Sequence, residues 1–348
     1  DWIDLPEQIG DAIAPLIGAH IGEVLVTDQT SVNLFKLASA ALAATDRADI
    51  VTDDANFPSD HYVLRAVAEH GNGRLRVVET DPVGGVTAAD ISAALDGDVA
   101  LVSLSHVAFK SGALADMSTI SAVTESAGAL TLWDLSHSVG AVPVELERTG
   151  VSLAVGCTYK YLNGGPGAPA FLYVRRDLQD RLTTPIPGWF GHADMFSFDP
   201  SYVAADGVRR FASGTPPIVS LRGVEHGVAV TTDAGIEAIR TKGVALTEVL
   251  IARADSRLVS LGCTIGSPRR AAARGSHVAI RHPEAYRLVQ ALIDRKVITD
   301  FRAPDTIRFG VAPLYTRYTD VYDAIETLVD ILETGAHLAY SPDHGSVT

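Results

Sequence analysis

The sequence has little cysteine and little positive charge. Only two of its 348 residues are cysteines, Cys157 and Cys263, which excludes a disulfide framework and, without a C-x-x-C pair, gives no indication of a zinc site. This cysteine content is typical of a reducing compartment, so we expect a cytoplasmic protein. Lysine and arginine number 28 against 42 aspartates and glutamates, a net charge of −14, and no basic block exceeds a pair. Nucleic acid is therefore not an expected partner.

Long apolar runs are also missing. The most apolar stretches, residues 99–104 and 129–132, are far shorter than the roughly 20 residues that a bilayer-spanning helix needs, so we expect no membrane association. The first residues have neither a basic segment nor an apolar run of the kind that forms a signal peptide. The chain reads as one that begins partway through a longer sequence.

What the sequence does have is a regular alternation of short apolar runs and amphipathic segments. Runs that are apolar at consecutive positions suit strands covered on both faces, and the segments between them have helical periodicity. This alternation predicts an α/β fold with a parallel or mixed sheet. The predicted strands are 24–27, 50–52, 75–78, 99–104, 129–133, 153–156 and 170–174. The predicted helices between them are 31–44, 59–69, 88–95 and 117–127.

From about residue 207 the pattern changes to longer helices and a separate set of strands, which predicts a smaller α+β domain. The Gly/Pro-containing segment 214–217 marks the change. We therefore predict a large domain over residues 1–215 and a small C-terminal domain over residues 216–348. The predicted elements of the second part are helices 218–230, 236–261, 283–295 and 318–334, with strands 277–281 and 307–310.

Two residues at predicted strand ends could carry chemistry together. Lys160 follows a strand and precedes a Gly-Gly-Pro-Gly loop, where a lysine can lose solvation as a Schiff-base lysine does; an exposed loop lysine is the alternative. Asp134 ends the preceding strand, where it could instead cap a helix. A carboxylate beside a strand-end lysine is the pair that pyridoxal phosphate requires, because the acid keeps the ring nitrogen protonated.

Three more residues indicate a cofactor site only in combination with Lys160 and Asp134. His137, three residues after Asp134, would face the same side in a helical turn, or it could simply pack. Thr30 and Ser31 open a predicted helix, where hydroxyl and backbone donors can bind a phosphate. An ordinary N-cap explains them equally well.

Seven motifs follow one another along the chain. They are Thr30-Ser31-Val-Asn-Leu-Phe, Asn-Phe57-Pro-Ser-Asp60-His-Tyr, Trp-Asp134-Leu-Ser-His137-Ser-Val-Gly, Tyr159-Lys160-Tyr-Leu-Asn-Gly-Gly-Pro-Gly, Gly-Trp189-Phe-Gly-His, Gly-Thr215-Pro-Pro and Arg308-Phe-Gly-Val-Ala-Pro-Leu-Tyr. Together they make the sequence resemble the kynureninase family, whose members are pyridoxal-phosphate enzymes of fold type I in the class V aminotransferase-like group. The resemblance covers essentially the whole chain. The Asp-x-x-His and Tyr-Lys pieces are shared across fold type I, whereas Phe-Pro-Ser-Asp-His-Tyr and Trp-Phe-Gly-His are more specific.

The resemblance implies catalytic and substrate-binding roles for four residues. Lys160 would be the Schiff-base lysine and Asp134 the partner of the pyridine nitrogen. Tyr159 would contact the cofactor phosphate and take part in proton transfer. Arg308 would bind the α-carboxylate of an amino-acid substrate, for which its planar two-donor fork is suited.

The resemblance also implies which residues hold the cofactor. Trp189 and Thr215 would reach the phosphate of the neighbouring subunit, so we expect a homodimer with shared active sites. Within one subunit, the phosphate ligands would be Thr30 and Ser31. Phe57 would stack on the ring, and Asp60 and His137 would line the site.

The implied activity is hydrolysis of L-kynurenine or 3-hydroxy-L-kynurenine to anthranilate or 3-hydroxyanthranilate plus L-alanine, in tryptophan catabolism and NAD biosynthesis. The alternatives are another class V activity, a cysteine desulfurase-like lyase or an amino-acid epimerase, and a non-catalytic relative without cofactor. A desulfurase needs a mobile nucleophilic cysteine, and we expect Cys157 to be buried in a strand. Kynureninases normally carry a further N-terminal segment that helps to form the substrate pocket, and this chain is expected to begin after it.

Overall fold

The computed structural model describes residues 2–343. Asp1, at the start of the predicted large domain, and residues 344–348, at the end of the predicted small domain, lie outside the described residues. The chain divides into two compact units. The first contains residues up to 80, 86–106 and 115–236, and the second contains residues 81–85, 107–114 and 237 onward. Each unit is described by itself.

The first unit is built on a seven-stranded sheet in the order β1-β7-β6-β5-β4-β2-β3. Six strands run in the same direction, and β7 is antiparallel to both of its neighbours. The carboxyl ends of the six parallel strands therefore meet at one edge of the sheet. The strands are β1 Val24–Val26, β2 Asp49–Asp53, β3 Leu75–Val78, β4 Val99–Ser105, β5 Leu130–Asp134, β6 Leu153–Gly156 and β7 Phe171–Val174.

Helices cover both faces of this sheet, so its central strands are apolar at nearly every position. The second helix, for example, buries Leu34, Leu37 and Ala41 against one face, whereas the first and seventh helices pack on the other. The helices of this unit are α1 Leu5–Ile13, α2 Thr30–Ala43, α3 Pro58–His70, α4 Ala88–Ala94, α5 Met117–Ser126, α6 Arg176–Gln179 and α7 Ile218–Ala234.

The second unit is a four-stranded antiparallel sheet packed with three helices. Its strand order is β10-β11-β9-β8, and its core is separate from that of the first unit. The helices are α8 Ile236–Arg257, which starts at the last residue of the first unit, α9 Ala285–Asp294 and α10 Tyr318–Thr334. The strands are β8 Thr264–Ile265, β9 His277–Arg281, β10 Asp300–Arg302 and β11 Thr306–Gly310.

The predicted fold class, a mostly parallel α/β sheet with a smaller α+β domain, is confirmed. The boundary between the units differs from the predicted one at 215/216, because α7 packs on the first unit. Its residues Leu221, Val224 and Val228 are buried in the same core as α1. The Gly/Pro segment is therefore a turn into a helix of the first unit rather than the link between the units.

Candidate active site

Asp134 is the last residue of β5 and lies at the shared carboxyl edge of the parallel strands. Its side chain is buried, and its Oδ1 accepts a hydrogen bond from the backbone N–H of Ser136 at 2.7 Å. The Ser136 hydroxyl in turn accepts from the N–H of Cys157, just after β6, at 3.1 Å. These bonds fix the carboxylate and join the loops that follow two adjacent strands.

Lys160 lies in the loop after β6, and its Nζ is 5.9 Å from the centroid of the Tyr159 ring. Helix α7 closes over the residues that follow. A Cβ on Gly227 would lie 2.2 Å from the carbonyl oxygen of Leu162, and one on Gly223 would lie 2.7 Å from that of Gly164. Only glycine permits this close approach, so α7 sets the path of the lysine-bearing loop.

Asp60, in the first turn of α3, shares an electrostatic environment with both of these groups. Burial raises the pKa of Asp60 well above its usual 3.8, the negative charge of Asp134 raises it further, and the positive charge of Lys160 lowers it. The structure thus places Asp60, Asp134 and Lys160 within electrostatic range of one another.

Tyr159 lies at the rim of this group, with half of its surface exposed. Burial of the phenol, with the nearby Cys157 and Asp134, raises the pKa of Tyr159 to about 12. The phenol is therefore protonated at neutral pH and acts as a hydrogen-bond donor. His137 is buried one residue after Ser136, directly beyond the end of β5.

Thr30 and Ser31 are the first two residues of α2, at the same edge of the sheet as Asp134. The preceding residue, Gln29, makes no side-chain cap bond to the helix. The first backbone N–H groups of a helix have no acceptors within it, and its dipole favours an anion there. The start of α2 is thus suited to bind a phosphate.

Phe57 directly precedes α3 and exposes 38% of its surface. Its N–H donates to Oδ1 of the buried Asn56 at 2.8 Å, which also accepts from the Ser105 hydroxyl at 2.7 Å. The Asn56 amide donates to Thr52 Oγ1 at 3.1 Å. The sequence analysis assigns no role to Asn56, although its position just after a predicted strand is a signal for one.

Trp189 and Thr215 are both exposed and lie in the segment between β7 and α7. The Trp189 ring meets Phe190 edge-on at 4.6 Å and Phe196 at 6.2 Å. Neither side chain carries a charge, so neither contributes to the charge interactions among Asp60, Asp134 and Lys160. This exposure is what a role toward another subunit requires.

Arg308 belongs to the second unit, in β11 between the buried Ile307 and Phe309. Its Nε donates to Asp300 Oδ1 at 2.9 Å and its Nη2 donates to Asp300 Oδ2. Its Nη1 donates to the carbonyl oxygen of Phe109 at 2.7 Å. The side-on fork of the guanidinium is thus oriented by Asp300, a residue to which the sequence assigned no function.

The residues of the first unit fit pyridoxal phosphate. Oδ2 of Asp60 is buried and has no hydrogen-bond partner among the residues that the structure describes. A buried carboxyl oxygen without a partner is costly, so the site is suited to receive a polar ligand. Lys160 could supply the amine, Asp134 the carboxylate and the start of α2 the anion site. Within residues 2–343 there is no cluster of three or more potential metal ligands.

Solved structures with the same architecture are enzymes of the cysteine desulfurase type. The cysteine desulfurase of Thermococcus onnurineus NA1 matches with a TM-score of 0.84 at 19% identity, over 95% of this chain and 84% of that one. The cystine C–S lyase C-DES, in complex with cysteine persulfide, matches with a TM-score of 0.83 at 20% identity, over 94% and 86%. At about 20% identity these likenesses define the class of fold, which is fold type I.

Sequence comparison places the chain within that class. The kynureninase of Pseudomonas fluorescens is 44% identical over 339 residues, which cover 95% of this chain and 80% of the relative. The kynureninase of Burkholderia pseudomallei strain K96243 is 44% identical over 342 residues, which cover 96% of this chain and 80% of that relative. The kynureninase C-terminal domain family matches residues 239–328. The chain belongs to the kynureninase family, which confirms the resemblance drawn from its motifs.

Proposed function

We propose that this chain hydrolyses L-kynurenine or 3-hydroxy-L-kynurenine to anthranilate or 3-hydroxyanthranilate and L-alanine, with pyridoxal phosphate as cofactor. The observation that carries the proposal is the grouping of Lys160, Asp134 and Asp60 at one sheet edge, in a chain 44% identical to kynureninases over nearly its full length. The reaction adds one water across the Cβ–Cγ bond: the aryl carbonyl carbon takes the hydroxyl group, and the alanine β-carbon takes a proton.

Pyridoxal phosphate, when bound, stabilises negative charge that develops at the substrate's α-carbon. Lys160 supplies the amine that holds the cofactor and, once released, takes the α-proton. Asp134, whose carboxylate is fixed by the Ser136 N–H, would hold the pyridine nitrogen and keep it protonated. The Tyr159 phenol, which lies beside these groups, would take part in proton transfer, either directly or through a water that it positions.

The remaining contacts bind and orient. Thr30 and Ser31 hold the phosphate at the start of α2, Phe57 stacks on the ring, and Asp60 and His137 line the site. Arg308 holds the α-carboxylate through charge-assisted hydrogen bonds. We further propose that Trp189 and Thr215 serve the phosphate site of a second subunit in a cytoplasmic homodimer. No helix within residues 2–343 is long and apolar enough to cross a membrane.

A desulfurase is the principal alternative, and the two thiols count against it. Cys157 and Cys263 are 1% and 2% exposed, and burial raises the pKa of both, that of Cys263 to about 11. A nucleophilic cysteine needs exposure and a lowered pKa. Neither thiol has these properties.

The test is a fluorescence assay for anthranilate release from L-kynurenine and 3-hydroxy-L-kynurenine, with L-cysteine as the competing substrate. The wild type is expected to release an anthranilate and alanine, and Lys160→Ala is expected to release none. Borohydride reduction and peptide mapping should place the pyridoxyl group on Lys160. Sulfide release from cysteine without anthranilate, or a label on another lysine, would refute the proposal.

A further inference from the structure

Lys36 is a fully buried lysine in α2, six residues after Thr30. A buried ammonium group is costly unless it is paired and hydrogen-bonded. Its Nζ donates to Oδ2 of Asp28 at 2.6 Å and to the carbonyl oxygen of Phe211 at 2.7 Å. The ammonium therefore joins three separate parts of the first unit: α2, the loop before it, and the segment before α7.

The first partner, Asp28, belongs to the loop that leads into the predicted phosphate site. Its backbone is left-handed (φ 45°), an uncommon conformation for a residue other than glycine. Two backbone hydrogen bonds of 2.8 Å join the loop to Ala170, the residue before β7: the Thr27 N–H donates to the Ala170 carbonyl oxygen, and the Ala170 N–H donates to the Asp28 carbonyl oxygen. Asn33 of α2 also donates to the Thr27 carbonyl oxygen at 2.8 Å. Lys36 adds the charged bond that holds Asp28 in this conformation.

The second partner, Phe211, lies four residues before Thr215. Two residues after Phe211, the carbonyl oxygen of Ser213 accepts a hydrogen bond of 3.4 Å from the N–H of Phe190, the neighbour of Trp189. A Cβ on Gly188 would lie 2.1 Å from the same carbonyl oxygen, so the two segments are in close backbone contact. One ammonium thus anchors both the loop before Thr30 and the segment between Trp189 and Thr215.

We propose that Lys36 is a positioning residue for cofactor phosphate binding, one that fixes loop 27–31 through Asp28 and segment 211–215 through the Phe211 carbonyl. The inference rests on the proposed function, in which Thr30 and Ser31 bind one phosphate and Thr215 the phosphate of a second subunit. Lys36 itself does not reach the phosphate, because its Nζ is directed at the two internal acceptors. Its removal should loosen both phosphate contacts and leave the amine of Lys160 unaffected.

The experiment compares two ligands, pyridoxal phosphate and pyridoxal, which differ only in the phosphate group. The wild type, Lys36→Met and Lys36→Arg, each purified as the full chain and freed of cofactor, are titrated by visible absorbance. Methionine keeps the length of the side chain without its charge. Thr231→Val, a change at a buried residue of α7 whose hydroxyl donates to the Gly227 carbonyl oxygen of the same helix, is the matched control for general destabilisation.

Lys36→Met is expected to bind pyridoxal phosphate at least tenfold more weakly than the wild type while binding pyridoxal within twofold. Lys36→Arg should lose less, and Thr231→Val should keep the wild-type ratio of the two affinities. If Lys36→Met does not fold, as judged by circular dichroism, Lys36→Arg and Asp28→Asn are titrated instead and the same ratio decides.

If Lys36→Met weakens the binding of pyridoxal phosphate and of pyridoxal by the same factor, or weakens neither, the ratio of the two affinities is unchanged. That result would overturn the proposed role of Lys36. A wild type that binds both ligands equally, or that releases no anthranilate, would instead overturn the proposed function on which the inference rests.

Discussion

Asp53, the last residue of β2, is a buried carboxyl group whose proton affinity depends on folding. Burial raises the pKa of Asp53 from 3.8 to about 7, against the opposing hydrogen bond from the Ala55 N–H at 2.8 Å. At pH values between 3.8 and about 7, the Asp53 carboxyl group holds a proton in the native state and has released it in the unfolded chain. The stabilisation is therefore complete below about pH 3.8 and is lost as the pH rises toward 7.

This difference predicts a pH dependence that Asp53→Asn removes. Relative to the variant, the free energy of unfolding of the cofactor-free wild type should fall by up to roughly 4 kcal/mol between pH 4 and pH 8. Urea unfolding of both proteins across this range would measure it. Parallel pH curves for the two proteins would show that Asp53 is ionised in the native state.

Arg308 offers a second residue-scale prediction. Arg308→Lys replaces a planar fork by a single ammonium group, which cannot keep both bonds to Asp300 and also hold a substrate carboxylate. We expect kcat/KM for kynurenine to fall by about tenfold or more, since one hydrogen bond to a charged group contributes about 1.5–3 kcal/mol. Cofactor affinity should be unchanged, because the proposed phosphate ligands lie in the first unit.

The matched control is Arg281→Lys, which alters an exposed Arg–Asp pair on β9 of the same unit. It should leave kcat/KM near the wild-type value. An unaltered specificity constant in Arg308→Lys, or an equal loss of cofactor affinity, would remove Arg308 from substrate binding.

Among the elements, α7 depends most on the absence of side chains. Alanine in place of glycine normally stabilises a helix by about 0.5–1 kcal/mol. At Gly227, however, a Cβ would meet the Leu162 carbonyl at 2.2 Å, so the helix or the loop after Lys160 must move. Gly227→Ala is expected to lower the free energy of unfolding by about 1–3 kcal/mol.

Gly97→Ala is the control, because a Cβ there meets nothing within 4 Å. Its free energy of unfolding should lie within about 0.5 kcal/mol of the wild-type value. A stabilised Gly227→Ala protein, measured by the same chemical denaturation, would mean that α7 does not constrain the lysine loop.

Elements with a strong pattern could be predicted from the sequence, and short or unpatterned ones could not. Strands β3, β6 and β9 and helix α10 have the predicted bounds. Strand β10 has only three residues and an arginine, so it lacks an apolar run, and α1 was not foreseen. The contact of α7 with the first unit depends on two glycines whose purpose appears only when the loop opposite them is known.

The same physical limit applies to the site. Lys160 and Asp134 could be selected because strand ends and a glycine-rich loop are visible in the sequence. Lys36 could not, because a lysine in a helix looks like a surface residue until its burial is known. Asp53 escaped notice for the same reason.

At the scale of the whole molecule, the proposed role of Trp189 and Thr215 toward a second subunit predicts an assembly with shared sites. Lys160→Ala and Thr215→Ala subunits should each have low activity alone. A mixed dimer should recover one working site, the one that combines the intact Lys160 of one subunit with the intact Thr215 of the other. Co-expression with two tags, followed by kinetics on the doubly purified dimer, would measure this recovery. Full cofactor affinity in an isolated monomer would contradict shared sites.

The burial of both thiols has a practical consequence. Cys157 and Cys263 should resist maleimides while the protein is folded, so the native chain should stay unlabelled. A cysteine introduced at an exposed position of either unit, such as Tyr62 or Ile298, would then be the single attachment point for a dye or spin label. Labels at two such positions, one in each unit, would let the distance between them be followed by energy transfer during turnover, without first replacing either native cysteine.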